Sequence, residues 1–357
     1  MKSSSPESEE TEERQIQMTY QELLSAARKN MASKCRVCPE CNGAACKGEL
    51  PGVGGYGNGR GFTNCVDYLR KIRIEMDTIC EDFIPDTSTQ VLGQKLALPI
   101  MVSPIGGMGF NYNGYLTDYE YNEAILRGAE QEGILAFSGD TPDAGFFDSL
   151  LPLIRQGKGR LISTVKPWPN DYILEKAGKL RENGALYFAM DIDSAGLPAL
   201  RKNGRGGHHK SIEDIRFLTE TSGMKLIIKG IMTARGAEKA RHAGAAAIIV
   251  SSHGGRHYQD APATASVLQE IRRAVGKDYP VFIDGGIRTG ADVFKVLALG
   301  ADAAMIGRPY AIAVHGSIGE GVSIYTDKLK QELTYIMNLA GCQSIRDISL
   351  QNIRIQE

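Results

Sequence analysis

From position 98 onward, short apolar runs alternate with longer amphipathic stretches. The runs are LPIMVSP (98–104), ILAFS (134–138), RLISTV (160–165), LYFAMD (186–191), KLIIK (225–229), AAIIVS (246–251), PVFID (280–284) and DAAMIG (302–307). Between them lie segments such as YNEAILRGAEQEG (121–133), DYILEKAGKLRENG (171–184), ARGAEKARHAG (234–244), TASVLQEIRRAVG (264–276) and GADVFKVLALG (290–300). These read as helices, and most stop at Gly, which accepts the left-handed conformation that ends a helix. Continuous apolar strands, each followed by a helix, indicate a parallel sheet covered by helices. Eight such units predict an α/β protein built as a (β/α)8 TIM barrel. A doubly wound open sheet would carry a glycine fingerprint at its first strand-to-helix turn. GYGNGRG (55–61) offers the glycines but follows no predicted strand.

Ahead of the barrel the pattern changes. Residues 1–17 are rich in Ser and Glu and poor in large apolar groups, so they predict a disordered acidic tail. TYQELLSAARKN (19–30) opens with Thr19 and places Glu22 three residues on, the capping box of a short amphipathic helix. CRVCPECNGAACKGELPGVGGYGNGRGF (35–62) has no period and predicts loop. The expected organisation is a tail (1–17), an N-terminal helical and Cys/Gly-rich extension packed on the barrel (18–95), and the barrel itself (96–357).

Composition narrows the function classes. The 357 residues carry a formal net charge of −1, with 42% hydrophobic and 23% charged residues. No basic surface of the kind that binds nucleic acid is implied, and no apolar run approaches the roughly 18–20 residues of a membrane span. The acidic N-terminus lacks the apolar stretch of a secretory signal, so a cytoplasmic protein is expected. Seven cysteines in a chain of this size do not suggest a disulfide framework. Four of them, Cys35, Cys38, Cys41 and Cys46, form a C-x2-C-x2-C-x4-C cluster. Thiolates so spaced are candidates for zinc or an iron–sulfur cluster, although the last gap is one residue longer than in a ferredoxin run.

A barrel of this kind keeps its chemistry at the C-terminal ends of its strands. There the chain places Pro104, Ile105 and Gly106, Ser138, Ser163, Asp191, Lys229, then Ser251, His253 and Arg256, then Asp284, Gly285, Gly286 and Arg288, and finally Gly307 and Arg308. Glycines followed by arginines in the last two units suit a phosphate, through close backbone N–H groups, a helix N-terminus and guanidinium contacts. A His with a pKa near neutrality suits proton transfer, and a nearby Arg suits a carboxylate.

SSHGGRHYQDAPAT (251–264), VFIDGGIRTGADVFKVLALGADAAMIGRP (281–309) and LAGCQSIRDIS (339–349) resemble the signature blocks of the FMN-dependent 2-hydroxy acid oxidases and dehydrogenases. The family includes glycolate oxidase, lactate oxidase and mandelate dehydrogenase. The resemblance is strong over 225–348 and weaker over 79–191, where VLGQKLALPIMVSPIGGMG (91–109) is similar to the family's first strand. It implies FMN as cofactor, oxidation of a small anionic 2-hydroxy acid to the 2-oxo acid, a homo-oligomer, and oxygen or a redox partner as electron acceptor. His253 would be the base and Arg256 the carboxylate clamp. Asp191 would hydrogen-bond the His253 ring, and Lys229 would face the flavin N1/O2 edge. Ser251 would help bind the flavin, and so by position would Ser138 and Ser163. Pro104, Ile105 and Gly106 would lie along it near N5. Asp284, Gly285, Gly286, Arg288, Gly307 and Arg308 would hold its ribityl chain and phosphate. His208, His209, His242, His257 and His315 receive no role.

The substrate side departs from the family. Its N-terminal Tyr has no clear equivalent, with Tyr20 and Tyr56 as the only candidates. Its second Tyr falls near Val165 or Lys166, its Gln aligns with Ser163, and its second Arg is missing from DIDSAGLPAL (191–200). Two other functions are carried forward. One is a flavoprotein isomerase of the type 2 isopentenyl-diphosphate isomerase kind. The other is a non-catalytic flavin and thiol redox sensor.

Overall fold

The computed structural model describes residues 18–32, 34–46, 57–196, 200 and 206–356. The expected acidic tail, Tyr56 and Arg201 lie outside these. Eight parallel strands close into a barrel: β1 (Ile100–Ile105), β2 (Leu135–Ser138), β3 (Leu161–Val165), β4 (Tyr187–Asp191), β5 (Lys225–Ile231), β6 (Ala247–Val250), β7 (Val281–Ile283) and β8 (Ala303–Ile306). They pair in sequence order, and β8 returns to β1 through Ala304–Ile100 and Ile306–Val102. Each coincides with one of the eight apolar runs.

The runs are apolar throughout because both faces of each strand are buried. Side chains alternate across a strand, and the two sets form two separate cores. Met101, Phe137, Ile162, Ala189, Ile227, Ile249, Phe282 and Met305 fill the barrel interior. Val102, Ala136, Leu161, Val165, Met190, Ile228, Val250, Ile283 and Ile306 pack against the helical layer. This alternation decides which residue at each strand end faces the interior.

The barrel is closed at its N-terminal end by a hairpin, Thr89–Val91 with Gln94–Leu96. Its two-residue turn has positive φ at both Leu92 (51°) and Gly93 (77°), matching the twist of the flanking strands. Val91 and Leu96 join the interior core, leaving the opposite end for the site. The hairpin straddles the expected 95/96 boundary.

The extension holds two helices where one was foreseen. The first, α1 (Tyr20–Met31), begins at the Thr19/Glu22 capping box. It buries Leu23, Leu24, Ala27 and Met31 on one face, each contributing about 1–3 kcal/mol by removal from water. Asn30 Nδ2 donates to the His315 carbonyl at 2.7 Å, fixing α1 on the helix Arg308–Gly316. The second, α2 (Arg60–Lys71), starts inside the segment expected to be loop. Its buried face, Phe62, Cys65, Val66 and Leu69, follows helical spacing that the surrounding glycines obscure. No described helix is long and apolar enough to cross a membrane.

Candidate active site

A cavity of about 500 Å³ opens at the C-terminal ends of the strands. On its wall stand Pro104 and Ile105 from β1 with Gly106 just after it, Asp191 at the end of β4, and Lys229 from β5. His253 and Arg256 reach it from the turn after β6. Asp284, Gly285, Gly286, Arg288, Gly307 and Arg308 come from the last two units.

The turn after β6 is held by a close approach of backbone to backbone. His253 (φ 55°), Gly254 (65°) and Gly255 (76°) are all left-handed, a conformation costly for the imidazole residue and free for the glycines. A Cβ on Gly255 would lie 2.2 Å from Phe62 N and 2.4 Å from Gly61 C, so only glycine lets the turn sit on α2.

Beneath the turn, one hydroxyl joins three strand ends. Ser251 Oγ accepts from Lys229 Nζ (2.6 Å) and from His253 N (3.1 Å), and donates to Asp284 Oδ2 (2.8 Å). A hydroxyl has one proton and two lone pairs, so Ser251 is fully committed inside the protein. Through these bonds Ser251 braces the residues that face the cavity. Lys229 Nζ also lies 3.3 Å from Asp284 Oδ2. Burial pulls the Lys229 ammonium down, but Asp284, Asp193 and Asp191 outweigh it and hold its pKa above the ordinary value. Lys229 is thus a buried ammonium on the cavity wall whose charged form the neighbouring carboxylates favour.

His253 has two carboxylates near its ring, the expected Asp191 and, closer, Asp193. Its Nδ1 lies 3.4 Å from Asp193 Oδ1 and 3.8 Å from Asp191 Oδ2. Asp191 pairs with Lys166, whose Nζ reaches Asp191 Oδ2 at 2.6 Å. Asp193 also meets a second imidazole, His257 Nε2, at 2.9 Å. The two rings pack edge to face at 4.7 Å. The environments split the two acids. Burial raises Asp191, which Asp193 reinforces against the pull of Lys166. Asp193 is buried too, but His253, His257 and Lys229 hold it well below the carboxylate range. Burial pushes His253 well below its ordinary value, with Lys166 and Lys229 adding to burial and Asp193 opposing it. At neutral pH the site therefore holds a neutral imidazole whose Nδ1 faces an ionised carboxylate. Nε2 is left as the basic nitrogen.

Two expected cofactor residues do not reach the cavity. Ser138 and Ser163 fall on the helix-facing side of β2 and β3, in step with Ala136, Leu161 and Val165. Thr164, in step with interior Ile162, lines the cavity instead. The same parity places Lys166, not Val165, where the family's second Tyr would stand. Lys166 is set by Asp140, which accepts from Lys166 N (3.0 Å), Trp168 Nε1 (2.8 Å) and Lys176 Nζ (3.0 Å) in full burial. Tyr20 stacks on Tyr325 at 6.0 Å, away from the cavity. Among the described residues the tyrosine on the cavity wall is Tyr112, which feels the charges of Arg308 and Arg256. His257, Tyr112 and Thr164 carry no role in the sequence reading, where Asp193 stands only as a rival to Asp191 and Lys166 only as a position near the family's second Tyr.

The far end of the cavity suits an anion. Arg308 opens the helix Arg308–Gly316, and Arg288 precedes the helix Gly290–Ala298. Their guanidinium groups lie 4.4 and 5.1 Å from the Phe62 ring centre, a cation–π seat supplied by α2. Gly286 (φ 80°) has no room for a Cβ, which would meet Cys65 backbone atoms at 2.6 Å. Ser103 Oγ, Thr164 Oγ1 and Asp284 Oδ1 line the cavity buried and without a protein partner. Buried polar atoms of this kind call for a partner, and their spread along the cavity fits the polar edge, ribityl chain and phosphate of FMN.

The expected metal at the cysteines has no preformed single-ion geometry. Among the described residues, the one group of three or more ligand atoms within 4.8 Å of each other is Asp193, His253 and His257.

The chain is similar to known proteins over most of its length. The model of the FMN-dependent dehydrogenase family matches residues 53–141 and 182–355. The gap between them contains β3, with Thr164 on it and Lys166 just after it. An L-lactate oxidase of Lactobacillus jensenii is 30% identical over 304 residues, 76% of this chain and 72% of that protein. A peroxisomal (S)-2-hydroxy-acid oxidase of Oryza sativa subsp. japonica is 32% identical over 308 residues, 75% and 80% of the two chains. A crystal structure of mandelate oxidase superposes with a TM-score of 0.78 at 22% identity, covering 94% of this chain and 98% of the other.

Proposed function

Because the chain belongs to the FMN-dependent dehydrogenase family, we propose that it oxidises a small 2-hydroxy acid to the 2-oxo acid with FMN bound in the strand-end cavity. The observation that carries this reading is the turn after β6. It presents a neutral imidazole and a guanidinium, three residues apart, to the cavity that Lys229 faces.

Arg256 holds the substrate carboxylate by paired hydrogen bonds, which orients the hydroxyl-bearing carbon. His253 Nε2 takes a proton from the substrate, and Asp193 stabilises the imidazolium through Nδ1. Bound FMN supplies the two-electron acceptor. Lys229, held by Asp284 and Ser251, provides fixed positive charge where negative charge accumulates. Asp284, Gly285, Gly286, Arg288, Gly307 and Arg308 are the residues that would hold the cofactor's ribityl and phosphate groups. Lys166 and Tyr112 replace the family's substrate-side residues and set the shape and charge available to the acid's side chain.

The test is anaerobic mixing of the flavin-loaded protein with a panel of 2-hydroxy acids. At least one should bleach the oxidised-flavin absorbance. His253→Gln should abolish bleaching while FMN stays bound. Failure of every acid in the panel would refute the reading in favour of a redox sensor or an isomerase.

A further inference from the structure

Four cysteines take no part in the reaction above. Cys35, Cys38, Cys41 and Cys46 lie on segment 34–46, which has neither helix nor strand. The segment is nevertheless pinned. Val37 is fully buried against Leu24, Ala27, Met31 and Ile312. Arg28 donates to the carbonyls of Arg36 (3.3 Å) and Val37 (2.7 Å), and Arg288 donates to that of Cys41 (2.9 Å). All four cysteines, half-buried, therefore stand on the wall of the cavity that holds His253 and Lys229.

Three uses of such thiols can be separated on physical grounds. No disulfide joins any of the seven cysteines. A single tetrahedral ion holds its sulfurs about 2.3 Å from the metal, and so about 4 Å from each other. Among the described residues no three of these sulfurs come within 4.8 Å. A polynuclear cluster spreads its thiolates around a larger cage. Val37 N donates to Cys35 Sγ at 3.4 Å, a hydrogen bond of the kind that tunes such clusters. Lys34, Arg36, Arg288 and Arg308 share the wall and oppose the negative charge of four thiolates.

We propose that Cys35, Cys38, Cys41 and Cys46 hold an iron–sulfur cluster on the wall of the flavin cavity, through which electrons leave the enzyme. The proposal rests on the hydroxy-acid reading. Conversion of one 2-hydroxy acid to the 2-oxo acid releases two electrons and two protons. The cluster passes the electrons singly, so two molecules of an external one-electron carrier protein are reduced per substrate. Both protons go to solvent, one of them by way of His253. The wall position makes the protein a dehydrogenase, with oxygen unnecessary for turnover.

The experiment uses the full-length protein purified without oxygen and assayed for iron, acid-labile sulfide, zinc and FMN. It is then treated with the 2-hydroxy acid that bleaches the flavin fastest and frozen for EPR. The expected result is about two to four iron atoms per chain, matching sulfide, and a reduced-cluster signal that appears on substrate addition. Cys38→Ser and Cys46→Ser should lose iron and the signal while retaining FMN and substrate bleaching. FMN with no iron, zinc in place of iron, or a cluster that substrate leaves oxidised would each overturn the proposal. Iron and sulfide with no response of the flavin to any acid would instead sink the hydroxy-acid reading.

Discussion

Asp193→Asn separates the two carboxylates that compete for His253. Asp193 Oδ1 is 3.4 Å from His253 Nδ1, against 3.8 Å for Asp191 Oδ2. Unit charges 3.4 Å apart interact by about 5 kcal/mol at an effective dielectric of about 20. That is a ceiling, because Asn keeps a dipole and Asp191 remains nearby. A hydrogen bond to a charged group contributes roughly 1.5–3 kcal/mol net. With about 1.36 kcal/mol per tenfold in rate, the variant should reduce its flavin about 10- to 100-fold more slowly. The pH profile supplies the sign. Burial holds the His253 pKa well below 6.5, so the base is neutral above that value and the rate falls as pH drops through the folded pKa. Asp193 raises that pKa. Its removal should move the acid limb to lower pH while lowering the plateau. The assay is anaerobic stopped-flow reduction of bound FMN across pH, with Asp191→Asn in parallel. An Asp193→Asn enzyme within about twofold of the parent at every pH, beside an Asp191→Asn enzyme slowed more than tenfold, would refute the assignment.

Three further outcomes are expected. Arg256→Lys loses planar bidentate recognition, so kcat/KM for the best acid should fall about 10- to 100-fold with FMN content unchanged; steady-state kinetics beside flavin quantitation checks this. Ser251→Ala removes the hydroxyl joining Lys229, His253 N and Asp284, and FMN titration of the deflavinated protein should show affinity weakened by about tenfold, the loss of roughly 1–2 kcal/mol of hydrogen bonding. Lys176→Met strips the ammonium from Asp140, a pair whose side chains are 2% and 0% exposed; urea unfolding should show a loss of about 3–5 kcal/mol, and a loss under 1 kcal/mol would contradict a buried charge pair there.

Much of the site was legible before the fold. His253 and Arg256 end an apolar run on a glycine turn, and the glycine–arginine pairs at 284–288 and 307–308 are local signals. The helix α2 was missed because its apolar face begins among glycines, and its reason for being helical is Phe62 and Cys65 packing under distant loops. Tyr112 was missed because it lies 144 positions before Arg256 in the chain, and no local pattern ties the two.

The amino-acid sequence alone determined the eight strands, their parallel order and the end of the barrel that carries chemistry, because burial on both faces and helix stops are written into nearest neighbours along the chain. Only the tertiary structure decided which side chain faces inward at each strand end. Strand alternation flips Ser163 outward and Thr164 inward on a one-residue difference. It also decided that Asp193 stands closer to the His253 ring than Asp191, 3.4 against 3.8 Å, with Lys166 drawn to Asp191. And it brought four cysteines, nearly two hundred residues ahead of Lys229 in the chain, onto the wall of the same cavity. Those outcomes depend on side-chain direction and on contacts between remote segments, neither of which a run of hydrophobic and polar positions encodes.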